Sequence, residues 1–198
     1  MLSYVNIHAL LYHIYSIPRP KKGHLQINGQ ITEHYIAAKG EFMEEFMVHL
    51  GAINDLDLLV EHRMLMWRDI HPELSSSLED HRHLTRSWVQ EKMLEKKLVP
   101  FIVKTKSEEV AGSGCILIQE DQPRPSVRKS EHPYLLSMYT LPKFREKGVA
   151  SLVVKEAIDW SISHGYDRIT LHASDQGKSI YEKFGFQQTN EMRLKLIR

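Results

Sequence analysis

Only one cysteine, Cys115, occurs in 198 residues. No disulfide can form within the chain, and such sparing use fits a reducing, cytoplasmic setting. An excess of either charge is also missing. Lysine and arginine number 26 against 25 aspartates and glutamates, for a net charge of +1. Nucleic-acid binders carry a basic excess or stripe, so that class is set aside. No apolar run approaches the roughly 20 residues of a membrane helix. The apolar stretch "NIHALLYHIYSI" is broken by His8 and His13 and has no basic n-region, so it does not read as a signal peptide. Repeats and low-complexity segments are lacking too. Histidine is plentiful, at twelve. Yet His62, His71, His81 and His83 are joined by no cysteine, and none sits at i, i+4 to another histidine beside a glutamate, as a zinc helix requires. No metal site is expected.

What is there suits one core: 42% of the residues are hydrophobic. Residues 1–42 read as a separate, peripheral extension. Their middle, "IPRPKKGHLQINGQ", is a connector rich in Pro, Gly and Lys, and the whole extension is expected to be dispensable for ligand binding. The domain proper spans 43–198. "EFMVHLGAI" predicts a strand. "NDLDLLVEHRMLMWRDI" predicts a helix capped by Asn54 or Asp55. "SSSLEDHRHLTRSWVQEKMLEKKL" predicts a second helix, with a serine cap and a lysine-rich end. "VPFIVKTK" and "VAGSGCILIQE" form a hairpin, with Gly112 and Gly114 at a bulge or a close approach. "DQPRPSVRKSEHP" is a loop. "YLLSMYTL" reads as a strand buried on both faces. A helix follows, with a stripe of Ala150, Val153, Val154, Ala157, Ile158 and Ile162 that ends at Gly165. Then come a strand in "YDRITLHAS", a short helix in "DQGKSIYEKF", and a β-turn-β ending in "GFQQTNEMRLKLI". The order β-α-α-β-β-β-α-β-α-β predicts an α/β fold with one mixed sheet and helices on both faces.

The stretch "LPKFREKGVAS", residues 141–151, carries the chemical signal. A proline-led turn puts Arg145, Lys147 and Gly148 where a helix is about to begin. The first N–H groups of a helix have no intrahelical partner, and the dipole there favours an anion. Gly148 lets a phosphate approach the backbone, and Ala150 keeps the wall small. The competing reading is an ordinary helix start with solvated cations. A nucleotide-binding loop would want Gly-rich sequence ending in Lys-Ser or Lys-Thr, which "FREKGVAS" does not supply.

"MYTLPKFREKGVA" resembles the acetyl-CoA motif of the GNAT superfamily of N-acetyltransferases, with Arg145, Gly148 and Ala150 at its key positions. "LHASDQGKSIYEKFGF" resembles the strand, short helix and Tyr-x-x-x-Gly-Phe run that closes such domains. The resemblance covers roughly residues 44–198. It implies a GNAT-like, largely antiparallel central sheet with a splayed pair of central strands. It also implies acetyl-CoA as co-substrate. Met138, Tyr139, Thr140 and Leu141 would pair with pantetheine as an added strand. Arg145, Glu146, Lys147, Gly148, Val149, Ala150 and Ser151 would hold the pyrophosphate, with Gly177 and Lys178 along its other side. Many relatives have an asparagine shortly before the family tyrosine. Here Asp175, Gln176 and Gly177 stand instead, and Gly177-Lys178 fits a glycine-basic sub-pattern.

The implied reaction is direct attack of a primary amine on the thioester, with Tyr181 as the general acid. The acceptor is a small molecule or a peptide. A homodimer is left open. No base stands out; His172, Asp175, Glu61 and Asp69 are candidates. Cys115, in a strand, reads as a small buried hydrophobe rather than an acyl carrier. Asp69, Glu73, Glu79 and Asp80 favour a cationic acceptor such as a polyamine, an aminoglycoside or a lysine side chain, although a solvated helix face explains them equally. The alternative function is a non-catalytic acyl-CoA sensor or structural module of the same fold.

Overall fold

The computed structural model describes residues 45–123, 125, 129–194 and 196. The 1–42 extension lies outside the described residues. Strand β1 spans Phe46–Leu50, helix α1 Leu56–Ile70 and helix α2 Ser75–Leu94. Strands β2 (Leu98–Thr105), β3 (Val110–Glu120) and β4 (Glu131–Thr140) follow. Helix α3 is Val149–Ser163, β5 is Thr170–Leu171 and α4 is Lys178–Lys183. Among the described residues no helix is long and apolar enough to cross a membrane.

The five strands lie in the order β1-β2-β3-β4-β5. The first three pairings are antiparallel and the last, β4 with β5, is parallel. Alternate residues of the middle strands feed two cores, because strand side chains alternate faces. Phe101, Val103, Ala111, Ile116, Ile118 and Leu135 pack under α3, against Val149, Leu152, Val153 and Ala157. Leu98, Ile102 and Cys115 face the other way, onto Leu56, Leu59 and Val60 of α1 and Val89 of α2. This two-sided burial is why the sequence of β2 and β3 is nearly unbroken in its apolar character.

Several expectations are corrected by the structure. The stripe of α3 is rotated: Val149, Leu152, Val153, Val154 and Ala157 are buried, whereas Ile162 is 39% exposed. Asp55 is the N-cap residue of α1, as expected, but its side chain makes no capping bond to the helix; its carboxylate accepts from the Ala52 N–H at 2.7 Å and closes the 3₁₀ turn before it. "YDRITLHAS" yields only the two residues of β5. No strand forms among the described residues of "GFQQTNEMRLKLI". Within "YLLSMYTL" only Leu135 and Tyr139 are buried, and the rest of the strand is half-buried.

The glycines of β3 sit where close approach was expected. A Cβ on Gly112 would lie 2.6 Å from the Tyr139 carbonyl and 2.8 Å from Val149 Cγ1, and one on Gly114 would lie 2.7 Å from Val153 Cγ1. Both let α3 and β4 settle onto the sheet. Opposite Gly114 the register slips. While β3 advances two residues, Ser113 to Cys115, β4 advances three, Leu136 to Tyr139. The extra residue makes a bulge in β4, and Ser137 takes φ +53° there.

One buried contact gives the fold a pH dependence. His62 of α1 is 3% exposed, and its Nδ1 lies 2.7 Å from Ser113 Oγ. Burial pulls its pKa from the ordinary 6.5 to about 4, with a small opposing contribution from Glu61. The folded state therefore binds fewer protons than the unfolded one below pH 6.5. Its share of stability is fully present above pH 6.5 and is lost as pH falls towards 4, a difference of roughly 3 kcal/mol. Urea unfolding at stepped pH should show this fall, and His62→Gln, which keeps a polar partner for Ser113, should remove that component.

Candidate active site

The site begins where two strands part. β4 and β5 pair only at Tyr134 with Thr170 and Leu135 with Leu171. Beyond Leu135, β4 stays bonded to β3 on one edge, through Leu136, Tyr139 and Thr140. Among the described residues its other edge has no strand partner there, so a fork opens in the sheet. Met138, Tyr139 and Thr140 lie on that open length, and Leu141, next in the chain, donates to the Ala111 carbonyl at 3.0 Å. A strand edge with free backbone groups is a ready site for an extended chain.

The open edge leads straight into the loop before α3. After a 3₁₀ turn at Pro142–Phe144, Phe144 is buried and fixes the loop against the core. Glu146 takes φ +64° and Gly148 φ +79°, and Gly148 is the N-cap of α3. The first helical bond is Leu152 N–H to the Gly148 carbonyl at 3.0 Å. Among the described residues, nothing accepts from the N–H groups of Val149, Ala150 and Ser151, the first turn of the helix. These donors, beside exposed Lys147, suit an anion.

Arg145, expected beside a phosphate, is tied to its neighbours within the chain. Its guanidinium pairs with Asp69 near the end of α1, donates from Nε to the Thr140 carbonyl at 3.2 Å and lies over the Tyr139 ring at 5.9 Å. It is a strut between the loop and α1. Lys178 makes only a loose 3.9 Å pair with Glu182. Gly177 lies under the tyrosine of the next turn: a Cβ there would stand 3.2 Å from Tyr181 Cε2.

Tyr181 sits on the far wall of the fork. Its ring packs with the α3-side core and meets Phe186 edge-on, with centroids 5.8 Å apart. Burial raises its pKa, and Tyr134 raises it further. Tyr134, the last residue but one before the strands part, was not singled out from the sequence. Its hydroxyl is bonded to His172 Nδ1, and His172 Nε2 lies 3.0 Å from Glu191 Oε1. The Tyr134 phenol is also raised, chiefly by burial. No sequence period links residues 134, 172 and 191, so only the fold reveals the chain of groups.

The other candidate bases are less well placed. Asp69 is held by Arg145, and Glu61 accepts from Arg82 at 2.7 Å. Asp175 is exposed. Of the carboxylates expected on the acceptor side, Glu73 contacts His71 and Glu79 pairs with Arg82. Burial pushes the Cys115 thiol up to about 12, so it is no nucleophile at neutral pH. Among the described residues, no group of three or more His, Cys, Asp or Glu could hold a metal ion.

Comparison with known proteins agrees with this geometry. The acetyltransferase (GNAT) family matches residues 61–186. No curated protein matches the chain. Among solved structures, a GCN5-related N-acetyltransferase from Ralstonia eutropha JMP134 superposes with a TM-score of 0.70 at 22% identity, covering 76% of this chain and 98% of that one. A predicted acetyltransferase from Clostridium acetobutylicum, solved with acetyl-CoA, has a TM-score of 0.66 at 24% identity, over 77% of this chain and 96% of that one. The aminoglycoside N-acetyltransferase AAC(6')-Iy in complex with CoA gives 0.57 at 17%, over 77% and 95%. These likenesses show a common fold, and the family match spans well over half of the chain. The chain therefore belongs to the GNAT family and is an acyltransferase of the N-acetyltransferase type, with acetyl-CoA as its co-substrate.

Proposed function

We propose that this protein acetylates a primary amine by direct attack, using Tyr181 as general acid and His172, acting through Tyr134, as general base. The observation that carries the reading is the fork. β4 parts from β5 beyond Leu135 and runs on into the loop whose amides open α3, and the phenols of Tyr134 and Tyr181 lie close enough to influence one another.

The residues fit the co-substrate. Met138, Tyr139 and Thr140 offer backbone groups to a pantetheine arm, and the amides of Glu146 to Ser151 with Lys147 offer a cradle for a pyrophosphate. Acetyl-CoA supplies an activated acyl carbonyl and a thiolate leaving group. Tyr181 keeps its proton throughout the neutral range, because burial disfavours the phenolate. A phenol with pKa of about 10 or above can still protonate a thiolate made in its reach, since desolvation away from water destabilises the thiolate and raises its basicity. On the acceptor side, Glu191 favours the tautomer with hydrogen on His172 Nε2 and leaves Nδ1 to accept from Tyr134. Tyr134 can then take the amine proton at its oxygen while passing its own to Nδ1.

The test is release of free thiol from acetyl-CoA across an amine panel, with acetyl-CoA binding measured in parallel. Amine-dependent thiol release is expected. Tight binding with no release from any amine would favour the non-catalytic module instead.

A further inference from the structure

We propose that Arg63 is the anchor for an oxyanion on the acceptor, so that the preferred substrate is an amine carrying a carboxylate or phosphate a few bonds from its nitrogen. This deepens the acetyltransfer reading and rests on it for the position of the amine.

Arg63 projects from α1 to the fork. Its Nη1 donates to Ser137 Oγ at 2.8 Å, on the bulge that starts the open length of β4. Its guanidinium carbon lies 5.8 Å from the centre of the Trp67 ring. The side chain is half-buried, yet no carboxylate pairs with it among the described residues. The titratable groups facing it are Cys115 and Tyr134. Burial raises the pKa of both, so both are neutral at pH 7. Three other arginines on or beside α1 have counter-ions: Arg82 has Glu61 and Glu79, Arg86 has Asp57, and Arg145 has Asp69; Arg68, also on α1, is exposed to water, where a lone guanidinium costs little. A guanidinium drawn partly out of water without an anion is costly, and it is the fork geometry that leaves its remaining N–H groups open. None of these N–H atoms is sealed in the interior unsatisfied. The planar donor set matches carboxylate and phosphate. Tyr134, which faces Arg63, is the group proposed to take the amine proton, so the anion and amine of one small acceptor can span the two.

The experiment compares matched acceptors with wild type, Arg63→Gln and Arg63→Lys. Carboxylate acceptors are free α-amino acids against their amides; phosphate acceptors are amino-sugar phosphates against the unphosphorylated sugars. Wild type should prefer one anionic class. Arg63→Gln should lower kcat/KM for that class on the order of 10²-fold, mainly through KM, and leave the neutral analogue and acetyl-CoA affinity unchanged. Arg63→Lys should fall between, having charge without the fork. Turnover of neutral or cationic amines that is indifferent to Arg63 overturns the proposal, as does an equal loss on all acceptors. A second arm needs no turnover: acetate and inorganic phosphate are titrated against tryptophan fluorescence, with Trp67→Phe to assign the signal. A Trp67 response lost in Arg63→Gln supports the anchor even if thiol release fails; no response to either ion in a chain without turnover overturns it. Failure to bind acetyl-CoA would sink the acetyltransfer reading while this arm still reports on Arg63.

Discussion

Tyr181→Phe should lower kcat by about 10²–10⁴-fold, the usual worth of general acid catalysis, with little change in acetyl-CoA affinity. The substitution removes one hydroxyl and keeps the ring, which holds its edge-on contact with Phe186 and its place over Gly177. Stability should barely move. The profile against pH is a second signature. Because burial raises the Tyr181 pKa above the ordinary 10, the acid form persists through neutral pH, and the alkaline limb of the wild-type rate profile should appear only in strongly alkaline solution. Steady-state kinetics decide the matter. A variant with wild-type kcat would show that the thiolate departs unprotonated or is served by water. A variant that loses affinity instead would make Tyr181 part of the binding wall.

Gly148→Asp should cripple co-substrate binding in a chain that still folds. At φ +79° a residue other than glycine costs about 1 kcal/mol, and aspartate is among the residues that tolerate the left-handed region best. The new carboxylate, however, would stand at the start of α3, among the amides proposed to hold a pyrophosphate. Two like charges about 4 Å apart near a protein surface repel by about 4 kcal/mol, so affinity should fall on the order of 10²–10³-fold. Isothermal titration with acetyl-CoA, beside a thermal melt, separates the two effects. Unchanged affinity in a folded variant would remove the loop from the binding site.

Much of this was legible in the chain because it depends on local rules. The turn-glycine-helix pattern of residues 141–163 places the loop and α3 without reference to anything distant. The glycines of β3 announced a close approach, and the apolar runs of β2 and β3 announced a sheet covered on both sides. What escaped depends on partners far off in sequence. The pairing of Arg145 with Asp69, on another element, leaves no trace in the local pattern. The apolar length of β4 reads as a fully covered strand, but its outer edge is decided by where β5 stops pairing. His62 sits on an otherwise apolar helix face and gains its meaning only from Ser113. Tyr134, His172 and Glu191 share no periodicity, and a bulge that turns Ser137 towards Arg63 leaves no mark in the hydrophobic pattern.

The brevity of β5 has an energetic consequence. β1 to β4 are stitched by long antiparallel ladders, whereas β5 holds to β4 at two residue pairs and the segment that follows is held by side chains alone, among them Ile180, Tyr181, Phe184 and Phe186. Opening free energies in a native protein range from near zero to the global value, in cooperative units. The segment from β5 through α4 is expected at the low end of that range, because its strand is tied to the sheet at two residue pairs alone. Its amides should exchange with solvent deuterium before those of β2 and β3. Tyr181 lies in that segment, so the wall of the fork should open at a cost below that of unfolding the chain.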